Sequence, residues 1–348
     1  MVGHRGRLAA AALAAVALAA LPAAGAKTPA AKVIGTRGKV VSISADGGRV
    51  AINATVAGNP ECDSGSVWTP STGAVVRFQD SPCGPKQSDD QYVGLTLAGT
   101  TAAWVDYDYG NHAYCAGPYT ATLAKPKPVP IADYCDGTED TSDTYYEFKG
   151  DGALLAGLSY LRCEASCGPD YDKTYDTDIA VYRLAGGVLK RILAAPDDTT
   201  LLDADAGRIL ILEPGKKLVV LDAAGKQVGA LTLPEVGEAR LSGSKQVVAV
   251  SQGTTLTTVD VATGKPVKAT KMQGEAKLMD VETGVAVYFS ATEVHLLTLA
   301  TGRDRVVVKQ RGLVQADLEP AGLFYAYDVP GGAKPGRVAF VAAAALPK

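Results

Sequence analysis

Acidic and tyrosine side chains at alternate or near-alternate positions are the groups in this sequence best suited to holding a ligand. Asp106, Tyr107, Asp108, Tyr109, His112 and Tyr114 form one cluster. Tyr134, Asp136, Glu139, Asp140, Asp143 and Tyr145 form a second, and Asp170, Tyr171, Asp172 and Tyr175 a third. Between residues 84 and 180 there are six basic and sixteen acidic residues, and twelve of the 15 tyrosines lie between Tyr92 and Tyr182. Carboxylates draw cationic groups, and tyrosine gives broad amphipathic contact at little entropic cost. The pattern suits a basic protein segment or a saccharide stacked on the rings.

The same residues bound the catalytic options. Beyond the first ten residues the only histidines are His112 and His295, and no nucleophile elbow or phosphate loop is present, so acid and base work would fall to carboxylates and tyrosines. Paired Asp or Glu groups near a channel could serve a glycosidase or lyase. A non-catalytic protein is the main expectation, and an extracellular carbohydrate-active enzyme using carboxylates on the same face is the alternative. No cofactor and no metal are expected. Calcium is the one cation that the alternating Asp106, Asp108, Asp170, Asp172, Asp176 and Asp178 would suit, but they complete no calcium-loop pattern.

The elements that must position these groups are legible from the rest of the chain. Residues 1–26 combine a basic start, the apolar run Leu8 to Leu21 and the small triplet Ala24, Gly25, Ala26, the pattern of a secretory signal peptide. Its apolar run is too short to span a bilayer, so no transmembrane anchor is expected after cleavage. The mature chain, 27–348, is read as one domain, monomeric, and secreted to the extracellular space, the periplasm or a bacterial cell envelope. The six cysteines suit an oxidising compartment: Cys62, Cys83, Cys115, Cys135, Cys163 and Cys167. They allow fifteen pairings, and sequence order favours Cys62 with Cys83, Cys115 with Cys135 and Cys163 with Cys167. The 34 basic and 37 acidic residues give a net charge of -3, which argues against a nucleic-acid partner.

An internal repeat organises the second half. Leu218 to Leu233, Leu256 to Lys271 and Val294 to Lys309 each read as strand, tight turn, strand, with turn glycines Gly225, Gly264 and Gly302 spaced 39 and 38 residues apart. Two further short strands precede each hairpin. Four strands per unit of about 40 residues is the pattern of a β-propeller blade. The expected blades cover 38–88, 91–140, 146–196, 199–235, 238–273, 275–312 and 313–346, seven four-stranded units in an all-β fold. Ala31 to Thr36 is expected to add the outer strand of the last unit and close the ring.

Two stretches carry a family resemblance. Val259 to Val267, VDVATGKPV, resembles the repeat of quinoprotein-type propellers, and Ile43 to Ile52, ISADGGRVAI, resembles the WD-repeat-like blade of TolB-type proteins. The resemblance implies the fold and leaves the activity open. The blade-docking tryptophan of quinoproteins is missing here. Ser44, Asp46 and Gly48 also resemble part of the aspartate box of sialidase propellers, where the box implies a turn staple; Ala51 stands in place of its aromatic residue.

The units are unequal. The first three carry insertions at Val56 to Ser66, Gln79 to Tyr92, Tyr107 to Pro118, Asp133 to Tyr146 and Arg162 to Asp178. All fall between the second and third strands of a unit or between units, which places them on one face. The expectation is a recognition surface made by the acidic, tyrosine-rich loops of the first three blades.

Overall fold

A computed structural model describes residues 30–78, 92–109, 114–131, 141–163, 176–183, 188–243, 247–332 and 334–347. Among the described residues, the chain is built from strands and one 3₁₀ turn, Ala343–Ala345. No helix there is long and apolar enough to cross a membrane. The strands make seven four-stranded antiparallel sheets, each an up-and-down run of consecutive strands except the last. The innermost strands are Val40–Asp46, Val93–Ala98, Thr141–Asp151, Thr200–Asp205, Glu238–Leu241, Ala276–Glu282 and Leu313–Glu319. Each packs on the next, and Leu313–Glu319 packs on Val40–Asp46, so the sheets form a closed ring. This is a β-propeller.

The last sheet takes its outer strand from the opposite end of the chain. Lys32–Gly35 pairs antiparallel with Gly336–Ala342, Lys32 opposite Phe340 and Gly35 opposite Arg337. The pairing covers an edge that would otherwise present unpaired backbone groups.

The repeated hairpins form because apolar positions and turn residues agree. In Lys217–Asp222 the four central residues are buried, and Asp222 then staples the turn by accepting the amides of Ala224 and Lys226, both at 2.9 Å. Gly225, Gly264 and Gly302 have φ of 84°, 66° and 75°, a region that favours glycine. The core lies between neighbouring sheets. Its most aromatic part stacks Trp104 between Phe78, Tyr92 and Tyr119, with ring centroids 5.2, 5.1 and 6.2 Å away. Gly65 makes room for this: a Cβ there would stand 2.6 Å from the Tyr92 ring.

Several stretches read as inserted loops are strand. Val56 to Ser66 lies in a hairpin of Arg49–Val56 and Asn59–Thr69, joined at Ala57 and Gly58. Tyr107 to Pro118 belongs largely to Thr101–Tyr109 and Tyr114–Thr122. The third inner strand begins at Thr141, inside the span read as Asp133 to Tyr146. Residues in a polar insertion still carry backbone donors and acceptors, and continuing the ladder satisfies them. Residues 1–26 lie outside the described residues, as do Cys83, Cys135 and Cys167. Cys62 is fully buried, and none of the described cysteines is free.

Candidate functional site

The ring encloses a central cavity of about 520 Å³, walled by the inner strands. An innermost strand has one unpaired edge, and its amides need acceptors. The inner strands supply them from one sheet to the next. Asp203 accepts the Leu241 amide at 2.7 Å, Asp280 that of Leu318 at 2.7 Å, and Asp317 that of Ala45 at 2.6 Å. Glu319 accepts from Gly47 at 3.1 Å and Asp151 from Ala206 at 2.8 Å. Asp46 spans three sheets, accepting the amides of Gly99 and, at 2.8 Å, Gly152. Arg240 reverses the polarity, donating Nε–H to the Met279 carbonyl at 3.0 Å. Every one of these bonds runs forward round the ring.

A recurring irregularity aims these side chains inward. The pairing of the inner with the second strand slips at Leu201/Asp203, Leu278/Asp280 and Leu313/Gln315, and at matching places in the first three sheets. A bulge resets the alternation of the strand, and residues two apart then share the cavity face. The result is two layers. The deeper one holds Asp203, Asp280 and Asp317 with Lys149 and Arg240. The other sits where the inner strands turn: Asp46, Asp151, Asp205, Glu282 and Glu319, each the last residue of its strand. Among the described residues, this layer contains no basic side chain.

Crowding of acids in a desolvated space favours their neutral forms. Burial, reinforced by Asp203, Asp151, Glu282 and Asp280, raises Asp205 to about 7. Burial and the neighbouring Glu319 raise Asp317 to about 7. Burial, with Asp46 and Asp280, raises Glu319 to about 8. Asp280 is held well above the carboxylate range by burial and by Asp317, to which it is also hydrogen-bonded. Asp203 is raised by burial, with Arg240 and Lys149 opposing. Lys149 is ion-paired with Glu147, and Arg240 lies 3.5 Å from Glu238.

The structure distributes the acidic and tyrosine clusters differently from the cavity. Tyr109 pairs with Tyr114, Asp108 with Cys115, Tyr107 with Ala116 and Asp106 with Gly117, all in one hairpin of the second sheet. Asp143 pairs with Leu161 and Tyr145 with Ser159 in the third. His112, Tyr134, Asp136, Glu139, Asp140, Asp170, Tyr171, Asp172 and Tyr175 lie outside the described residues. In up-and-down sheets, hairpins between second and third strands open on the face opposite the turns that end the inner strands. The tyrosine-bearing hairpins and the acidic cavity mouth therefore lie at opposite ends of the ring.

His295 occupies neither end. It is buried, stacked on Tyr288 with centroids 4.5 Å apart, and its Nδ1 lies 3.0 Å from Asp304 and 3.1 Å from the Tyr288 hydroxyl. That cluster ties three strands of one sheet together. Among the described residues, no group of three or more His, Cys, Asp or Glu side chains is arranged to hold a metal ion.

The cavity acids were not singled out in the sequence, although Asp203-x-Asp205, Asp280-x-Glu282 and Asp317-x-Glu319 recur ahead of turn glycines. That recurrence was the available signal. The resemblance to the aspartate box implies a turn staple at Asp46, whereas its bonds reach two other sheets.

No family model matches the chain, and no curated protein matches it in sequence. Among solved structures it is similar to Raptor of Chaetomium thermophilum, with a TM-score of 0.54 and 10% identity over 89% of this chain and 28% of that one. The Dos1 propeller gives 0.52 and 13%, over 89% and 94% of the two chains. The computationally designed Ika8 protein gives 0.50 and 10%, over 88% and 98%. At these identities the likeness shows the fold alone, a β-propeller.

Proposed function

We propose that this chain is a secreted, non-catalytic recognition propeller that binds a protein or saccharide partner on the hairpin face of its first three blades. A rigid ring presenting long hairpins at one end suits a binding scaffold. The observation that carries the reading is the lengthened hairpin Thr101–Tyr109 with Tyr114–Thr122, which bears Asp106, Tyr107, Asp108, Tyr109 and Tyr114. The neighbouring Thr141–Asp151 strand bears Asp143 and Tyr145. The cysteines, as disulfides, brace this face, and the leading residues 1–26 direct export. The kinship with TolB-type and quinoprotein-type blades supplies only the scaffold in this reading.

The geometry of the cavity supports a non-catalytic role. Asp151, Asp203, Asp280, Asp317 and Glu319 are committed to backbone amides of the next blade, so these acids hold the ring rather than wait for a substrate. The test compares oxidised mature protein with an Asp106→Asn, Asp108→Asn, Asp143→Asn variant of equal melting temperature. Both are immobilised and exposed to envelope and culture fractions under a salt gradient. Capture that weakens in graded steps with each substitution and with salt supports the reading. Turnover of a polysaccharide that one carboxylate substitution abolishes would replace it with the enzyme alternative.

A further inference from the structure

The cavity holds more acid than the ring needs for its latches, and it holds acceptors with nothing to accept from. Asn53 is 2% exposed and lines the cavity. Its amide nitrogen donates to Asp63 Oδ2 and to the Tyr92 carbonyl, each at 3.1 Å, which fixes the orientation of the group. Its Oδ1 is buried with no hydrogen-bond partner. At the other end, Asp205 Oδ2 is likewise buried without a partner. A Cβ on Gly243 would stand 3.6 Å from that oxygen and 3.5 Å from Glu282 Oε1, so these two acids flank one notch left by a glycine.

Asn53 pairs across the strands with Ser42, four residues before Asp46 at the acidic mouth. Along the strand direction, at about 3.3 Å per residue, the level of Asn53 lies roughly 13 Å from that of the mouth, and the deeper acidic layer lies about 6.6 Å below the mouth. Among the described residues, the cations lining the cavity are Lys149 and Arg240; Lys149 is paired with Glu147, and Arg240 is engaged with Glu238 and the Met279 carbonyl. Buried acceptors without donors are costly, and buried carboxylates without cations are resolved either by protons or by a bound cation.

We propose that the central cavity binds a linear aliphatic polyamine, its ammonium groups donating to the acidic mouth around Asp205 and Glu282 and, along the axis, towards Asn53. Three- or four-methylene spacers match the separation of the layers. An ammonium group needs only a few oxygens. The acids are spread round a ring rather than converged on a point, which suits a chain of ammonium groups better than a metal ion. The site is independent of the hairpin face.

The experiment titrates spermidine into the purified mature protein by calorimetry and thermal denaturation at fixed ionic strength. Putrescine, fully N-acetylated spermidine and calcium chloride serve as comparisons. The titration is repeated near neutral pH in two buffers of different ionisation enthalpy, because ammonium binding must displace protons from the neutral cavity acids. The expected result is saturable binding of spermidine, weaker binding of putrescine, none of the acetylated compound, and proton release seen as a buffer-dependent enthalpy. Asp205→Asn and Glu282→Gln, each alone, should weaken spermidine about ten-fold, while the exposed-site control Glu275→Gln leaves it unchanged. Equal effects of calcium chloride, binding without proton release, or full affinity in both cavity variants would overturn the proposal. The buffer comparison needs no variant, so it decides the matter even if a substitution fails to fold.

Discussion

Raising the pH should loosen the ring, and Asp317→Asn should remove a defined part of that effect. Asp317 has an ordinary pKa of 3.8 when unfolded and about 7 in the folded ring. A carboxyl whose folded pKa is raised holds its proton longer in the folded state. Its stabilising contribution is therefore fully present below the unfolded value and is lost as the pH climbs through the folded one. Between about pH 5 and about pH 8, roughly two units of that difference are lost, equivalent to about 3 kcal/mol at 1.36 kcal/mol per unit. Coupling to Asp280 and Glu319 spreads this over the cluster. Asparagine can still accept the Ala45 amide through Oδ1 and can donate to Asp280 through Nδ2, so the variant keeps both contacts without the charge. Urea denaturation at several pH values reads the slope directly. The wild type should lose midpoint concentration towards alkaline pH, and the variant should lose about 3 kcal/mol less across that window. A wild-type stability that rises over this range, or a variant with the wild-type slope, would refute the reasoning.

Other parts of the structure make separate claims. Trp104→Ala empties a buried stack between the first two blades and should cost about 3–5 kcal/mol in denaturant unfolding, with loss of near-ultraviolet dichroism. Gly65→Ala drives a methyl to within 2.6 Å of the Tyr92 ring and should cost about 1–3 kcal/mol, and Tyr92→Ala in the same chain should recover part of it. Asp203→Ala strips the acceptor from the Leu241 amide and should destabilise by about 1–3 kcal/mol, while Asp203→Asn, which keeps an acceptor, should lose less.

The parts of this molecule that could be read in advance are those governed by local rules. Gly225, Gly264 and Gly302 mark hairpins because a tight turn needs positive φ, and buried runs such as Leu218 to Leu221 mark the strands between them. The outer strand near Ala31 to Thr36 was legible because a closed ring leaves no other partner for the last sheet. The insertions are hard to read because residues 56–66 are mostly polar or small, so the first half of Asn59–Thr69 looks like a loop, and only cross-strand pairing reveals it as strand. The cavity was hidden for a different reason. Asp203, Asp280 and Asp317 lie far apart in sequence, and a bulge in each strand decides that they face inward. No periodicity within a single strand announces that meeting.

Recognition is proposed for the hairpin face of the first three blades. Hydrogen–deuterium exchange of the mature protein, free and bound to the partner captured in the salt-gradient experiment, tests it most directly. Slowed exchange is expected only in the 101–122 hairpin and in the strand ends 141–146 and 158–163, with the strand-end turns after Asp151, Asp205, Glu282 and Glu319 unchanged. Protection centred on those turns, or spread along the outer strands of the later blades, would contradict it.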